Sequence, residues 1–95
     1  MSEPLTDDQT REAVREALDK LPPDIAAKLD NLAVIVEDSH PSGDLMGLYE
    51  RRMGMHRITI YRDANPTVDE VKKTVLHEIG HYFGMDEDRV REMGY

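Results

Sequence analysis

No cysteine occurs in this chain of 95 residues. That absence removes disulfides, thiolate metal sites and cysteine nucleophiles together. Long apolar runs are missing too: no stretch approaches the length of a bilayer span. Met1-Ser2-Glu3-Pro4 has no basic segment leading into an apolar one, so it does not read as a secretory leader. Basic residues are scarce, with 12 Lys and Arg against 20 Asp and Glu, a formal net charge of −8. The one dense basic group, Arg51-Arg52 with Arg57, is too small to reverse the repulsion that nucleic-acid phosphates would meet. Repeats, low-complexity tracts and an interdomain linker are also lacking. These absences lead to the expectation of one soluble, cytoplasmic domain over residues 1–95, with neither nucleic acid nor membrane as partner.

What the chain does have is concentrated in His77-Glu78-Ile79-Gly80-His81-Tyr82-Phe83-Gly84-Met85-Asp86-Glu87. On a helix, residues four apart lie on one face, so His77 and His81 can aim two imidazoles at one ion. The H-E-x-x-H signature assigns Glu78 to a metal-held water as general base. Gly84 permits a left-handed turn that ends the helix and lets the chain fold back with an acid. Glu87, ten residues after His77, has the right offset for a third ligand. Asp86 is its competitor, although Asp86 can equally cap a short last helix whose dipole Glu87 and Asp88 complement. Three protein ligands plus water is the catalytic form of zinc coordination.

The bland reading makes both histidines surface helix residues, one of them paired with a nearby acid. H-E-x-x-H alone arises in roughly one or two of a hundred shuffled chains of this composition. Requiring the glycine and the later acid lowers that to about two in ten thousand, which favours the metal reading.

The rest of the chain supplies a scaffold. Thr6 with Gln9 forms a capping box for a first helix that carries Val14, Leu18 and Leu21 and stops at Pro22-Pro23. Asp24 is placed to cap a short second helix, Ile25 to Leu29. Leu32-Ala33-Val34-Ile35-Val36 is apolar without alternation and reads as a strand buried on both faces. Leu45 to Glu50 suits a short strand, Arg51 to Met55 a turn, and His56 to Arg62 a strand with Ile58 and Ile60 on one face. Thr67 with Glu70 caps a helix from Val68 to about Phe83, whose stripe Val68, Val71, Val75, Ile79 and Tyr82 is core. Tyr61 and His56 are both candidates to stabilise an oxyanion, and nothing in the sequence selects between them.

Taken in order, these segments resemble the small bacterial zincin-like metallopeptidases, described as having a minimal metalloprotease fold. Leu29 to Asp38 is similar to the family's first strand, and Gly47-Leu48-Tyr49-Glu50 to its central Gly-Leu-Tyr element. Arg57 to Arg62 is similar to the strand before the active-site helix, and His77 to Gly84 falls at the metal motif. The resemblance implies an α+β, zincin-like fold: a small mixed sheet of three to four strands packed against an N-terminal helix and the H-E-x-x-H helix. It also implies Zn2+ held by His77, His81 and Glu87, with Glu78 as base. Relatives often have aspartate where Glu87 stands, which keeps Asp86 in play. The expected function is zinc-dependent hydrolysis of a peptide or protein substrate. The alternative is a non-catalytic zinc-binding regulatory or interaction domain, because only eight residues follow Glu87 to wall a cleft.

Overall fold

The computed structural model describes residues 4–95; the leader reading of Met1-Ser2-Glu3 falls outside them. The elements run α1 (Asp7–Asp19), α2 (Pro23–Ala26), β1 (Leu32–Glu37), β2 (Gly47–Arg52), β3 (Met55–Tyr61), α3 (Val68–Tyr82) and α4 (Glu87–Glu92), with a 3-10 turn at Arg62–Ala64. Both halves of the Thr6–Gln9 capping box form at the start of α1. Proline opens α2, where its fixed φ suits the first helical position. Asp24 therefore sits inside the first turn of that helix and makes no side-chain cap.

The three strands form one mixed sheet in the order β1-β3-β2. β1 runs parallel to β3, with Val34 opposite Ile58, while β2 runs antiparallel to it, with Gly47 opposite Ile60. Arg52 and Met55 close the β2–β3 hairpin across Met53 and Gly54, at φ 54° and 80°. Positive φ at both positions matches the turn type whose twist suits a two-residue hairpin. The α+β architecture expected from the sequence is thus present, with three strands.

The expectation of β1 as a strand buried on both faces is corrected. A three-stranded sheet has one interior position, and β3 takes it: Ile58, Thr59, Ile60 and Tyr61 are consecutively buried. β1 is an edge strand with Leu32, Val34 and Val36 against the core and Ala33 exposed. The core forms where α1 and α3 meet the sheet, through Ala13, Val14, Ala17, Ile58, Ile60, Val71, Val75 and Ile79. Burial of the valine and isoleucine side chains contributes roughly 1.5–3 kcal/mol apiece against exposure. The α3 stripe begins at Val71, because Val68 remains 38% exposed.

One polar group ties the sheet to α3. Asn65 is fully buried, and its Nδ2 donates to the carbonyls of Tyr61 (2.7 Å) and Met46 (2.9 Å). Its Oδ1 accepts from the Thr74 hydroxyl at 2.6 Å. A buried amide with partners on three segments fixes their spacing, since any slip leaves a desolvated polar atom unpaired. The segments so held are the end of β3, the approach to β2 and the middle of α3. No helix among the described residues is long and apolar enough to cross a membrane.

Candidate metal centre

Helix α3 is started by Thr67, whose hydroxyl accepts from the Glu70 N–H, and runs unbroken through the H-E-x-x-H segment. His77 and His81 lie one turn apart with ring centroids at 5.0 Å. His77, Glu78 and His81 each offer a ligand atom, and these three atoms fall within 4.8 Å of one another. Glu87, first residue of α4, reaches the same point. Its Oε1 lies 2.8 Å from His77 Nε2 and 2.7 Å from His81 Nε2. Asp86 does not approach the histidines through its carboxylate. Its side chain caps α4, accepting from the Arg89 N–H at 2.8 Å. The fold-back that Gly84 was expected to permit is present, with φ 85° at that residue.

Both imidazoles are oriented from behind. His81 Nδ1 donates to the Met85 carbonyl at 2.9 Å, and His77 Nδ1 donates to the Tyr95 main-chain oxygen at 2.8 Å. A main-chain oxygen only accepts, so each Nδ1 carries hydrogen and each Nε2 is the atom turned toward Glu87. A metal-binding histidine is commonly fixed in this way by an acceptor at its other nitrogen. Glu78 is 7% exposed, and its Oε2 is buried with no hydrogen-bond partner. A carboxylate oxygen orphaned beside two oriented imidazoles fits a centre that takes a cation and a polar ligand.

Charge balance at the centre follows from these contacts. Burial raises the Glu78 pKa; Glu87 adds to the rise, while His77 and His81 oppose it. Hydrogen bonds from His77 and His81 hold Glu87 below the ordinary carboxylate value. Burial pulls His81 down, but the Met85 carbonyl, Glu87 and Glu78 outweigh it and the net shift is upward.

For the metal-free protein the signs can be worked through. Glu78 and His81, both raised, contribute stability that is complete below their unfolded pKa values and lost as pH rises through the folded ones. Glu87, lowered, contributes above its unfolded value of 4.5 and loses this as pH falls through the folded one. The chelated protein is expected to be most stable at about pH 5–6 and to melt at lower temperature toward about pH 8. Added zinc should reverse that alkaline decline, because metal and proton compete for the same nitrogens. Thermal melts across this range, with chelator and with zinc, check both trends; a flat profile with chelator would contradict the first.

A cleft of about 520 Å³ opens beside the centre, floored by Thr74, His77 and Glu78 and walled by Leu45, Met46 and Gly47. Gly47 explains how β2 comes so near. A Cβ there would lie 2.7 Å from Thr74 Cγ2 and 3.1 Å from Glu78 Cγ. Gly47→Ala is therefore expected to push α3 off the edge strand, lowering stability by about 1–3 kcal/mol. Adding Thr74→Ser deletes that methyl but keeps the hydroxyl that Asn65 needs, so the double variant should recover most of the melting temperature.

The remaining candidates are placed elsewhere. Tyr61 packs edge-on against His40 at 5.3 Å, and His56 bonds through Nδ1 to the Tyr49 hydroxyl. Neither lines the cleft. Gly80 admits Val90 of α4: a Cβ there would meet Val90 Cγ2 at 2.8 Å. Residues that sequence reasoning missed are Gly47, Asn65 and the two main-chain oxygens behind the histidines. Of these, only the main-chain oxygens had a local signal, in the glycines that follow α3 and α4.

With this geometry in view, comparison with known families is informative. Residues 49–95, which carry β3, α3, α4 and most of β2, match the zincin-like metallopeptidase family. No curated protein matches the chain.

Proposed function

We propose that this protein is a zinc-dependent peptidase, with His77 Nε2, His81 Nε2 and a Glu87 carboxylate oxygen as metal ligands and Glu78 as general base. The observation that carries this reading is the convergence of both Nε2 atoms on one Glu87 oxygen, at 2.7 and 2.8 Å, while each Nδ1 is tied to a main-chain oxygen. Zinc held by these residues would supply Lewis acidity toward a peptide carbonyl and toward an attacking water. Glu78 would accept the attacking water's proton on its carboxylate as the water oxygen bonds the carbonyl carbon, and would deliver that proton to the amide nitrogen as the C–N bond breaks. Its raised pKa suits both halves of that transfer.

The chain also has a rail on which to hold an extended peptide. Tyr61 N–H donates to Met46 C=O at 3.0 Å, and antiparallel bonding alternates from there along β2. Gly47, Tyr49 and Arg51 therefore direct their N–H and C=O groups to the free edge of the sheet. Gly47 sits against Glu78, so a peptide added as a strand would pass the base. The test is cleavage of a mixed peptide library by protein loaded with one zinc per chain. Hydrolysis that stops with chelator and returns with zinc is expected. No cleavage at full zinc occupancy would overturn the peptidase reading.

A further inference from the structure

Helices α3 and α4 end in the same way, and each end touches a histidine. After α3, Gly84 N–H donates to His81 C=O (2.9 Å) and Met85 N–H to Gly80 C=O (3.0 Å). After α4, Gly94 N–H donates to Arg91 C=O (2.9 Å) and Tyr95 N–H to Val90 C=O (3.1 Å). Gly84 and Gly94 have φ 85° and 93°. These are two Schellman motifs, with glycine at the left-handed position in each. The residue just past each glycine supplies the main-chain oxygen that takes an Nδ1 hydrogen, Met85 for His81 and Tyr95 for His77.

We infer that the Gly94 turn is a positioning device of the metal centre, aiming the Tyr95 main-chain oxygen at His77 Nδ1 so that His77 presents Nε2 as a ligand. This rests on the metal-binding part of the proposal above. The two ends are not equivalent. Met85 is four residues from His81, so that contact forms with the end of α3 itself. Tyr95 is 18 residues from His77, and its contact exists only once α4 has docked. α4 thus closes on His77 from both sides, with Glu87 at its start facing Nε2 and Tyr95 past its end facing Nδ1. Val90, 1% exposed between them, seats the helix on Gly80. Ligand and orienting acceptor are delivered together, so docking of α4 and metal binding are coupled.

The test compares native protein with Gly94→Val, Gly94→Asn and a control, Gly43→Val. A Cβ at Gly94 or at Gly43 meets nothing within 4 Å, and both glycines have left-handed φ, 93° and 85°. Strain is therefore matched while location differs. Zinc affinity is read by competition with a chromophoric chelator. The imidazole tautomers are read by nitrogen NMR of the metal-free protein. Gly94→Val should weaken zinc by about 10–100-fold, the usual effect of losing an outer acceptor. It should also release His77 from the Nδ1–H form while His81 keeps it.

Gly94→Asn, which tolerates the left-handed conformation, and Gly43→Val should both stay within about threefold of native. Should α4 unfold in Gly94→Val, the milder Gly94→Ala carries the same two readouts. Unchanged affinity and tautomer in Gly94→Val or its stand-in Gly94→Ala, or an equal loss in Gly43→Val, would overturn the inference. If native protein binds no zinc, the metal-binding proposal fails, and the His77 tautomer alone then decides this one.

Discussion

Glu78→Gln is expected to reduce peptide hydrolysis at least about a thousandfold while leaving bound zinc nearly unchanged. Loss of a positioned proton carrier accounts for about 10²–10⁴-fold. The amide also cannot hold the proton destined for the leaving nitrogen, so both halves of the transfer fail together. Retention of metal follows from the geometry: His77, His81 and Glu87 meet at one point without help from Glu78, which is buried against Gly47. The exchange is nearly isosteric and replaces a carboxylate whose pKa burial has already raised. The melting temperature of the variant should therefore match or slightly exceed the native value at neutral pH. Three measurements on one preparation check this: zinc by elemental analysis, a thermal melt, and the rate on the best peptide from a library. Cleavage that survives the substitution would remove Glu78 from the mechanism. Joint loss of zinc and activity would show that Glu78 is a ligand.

The sequence made the centre legible because its geometry is local. Two histidines four apart must share a helix face, and the glycine after Phe83 must turn the chain back. Glu87 follows within one short segment. The competition between Glu87 and Asp86 was open because both follow that turn directly. In the structure Asp86 caps Arg89 N–H, which directs its carboxylate into α4 and leaves Glu87 to face the rings. Less legible was anything set by contact between distant segments. The apolar run of β1 does not announce an edge strand, because edge or centre depends on how many strands the chain supplies. Gly47 reads as one glycine among six until α3 is laid over it. Asn65, before Pro66, reads as turn chemistry, yet its fully buried amide joins the end of β3, the approach to β2 and α3. The main-chain oxygens of Met85 and Tyr95 have no side-chain identity to find, and only the glycines before them hint at their direction.

His81→Ala should abolish stoichiometric zinc binding and, with it, the stabilisation that zinc gives. Zinc present at about a hundred times its dissociation constant stabilises the fold by about 2.7 kcal/mol. For a domain of this size that raises the melting temperature by about 10–20 °C. Chelator should remove this increment from the native protein and have no effect on His81→Ala. The zinc contribution can be separated from that of the imidazole itself. In the metal-free protein His81 spans the Met85 carbonyl and Glu87, and it is half-buried. Some loss of stability without zinc is therefore expected in the variant, and the informative quantity is the difference between its melts with and without metal.

Asp86→Ala and Glu87→Ala divide the remaining question. Loss of the cap weakens α4 by about 1 kcal/mol and should leave the zinc increment largely in place. Loss of Glu87 removes the one oxygen on which both Nε2 atoms converge and should erase most of that increment. If Asp86→Ala erases it and Glu87→Ala does not, the third ligand is Asp86, and the capping contact seen at Arg89 must give way when metal binds.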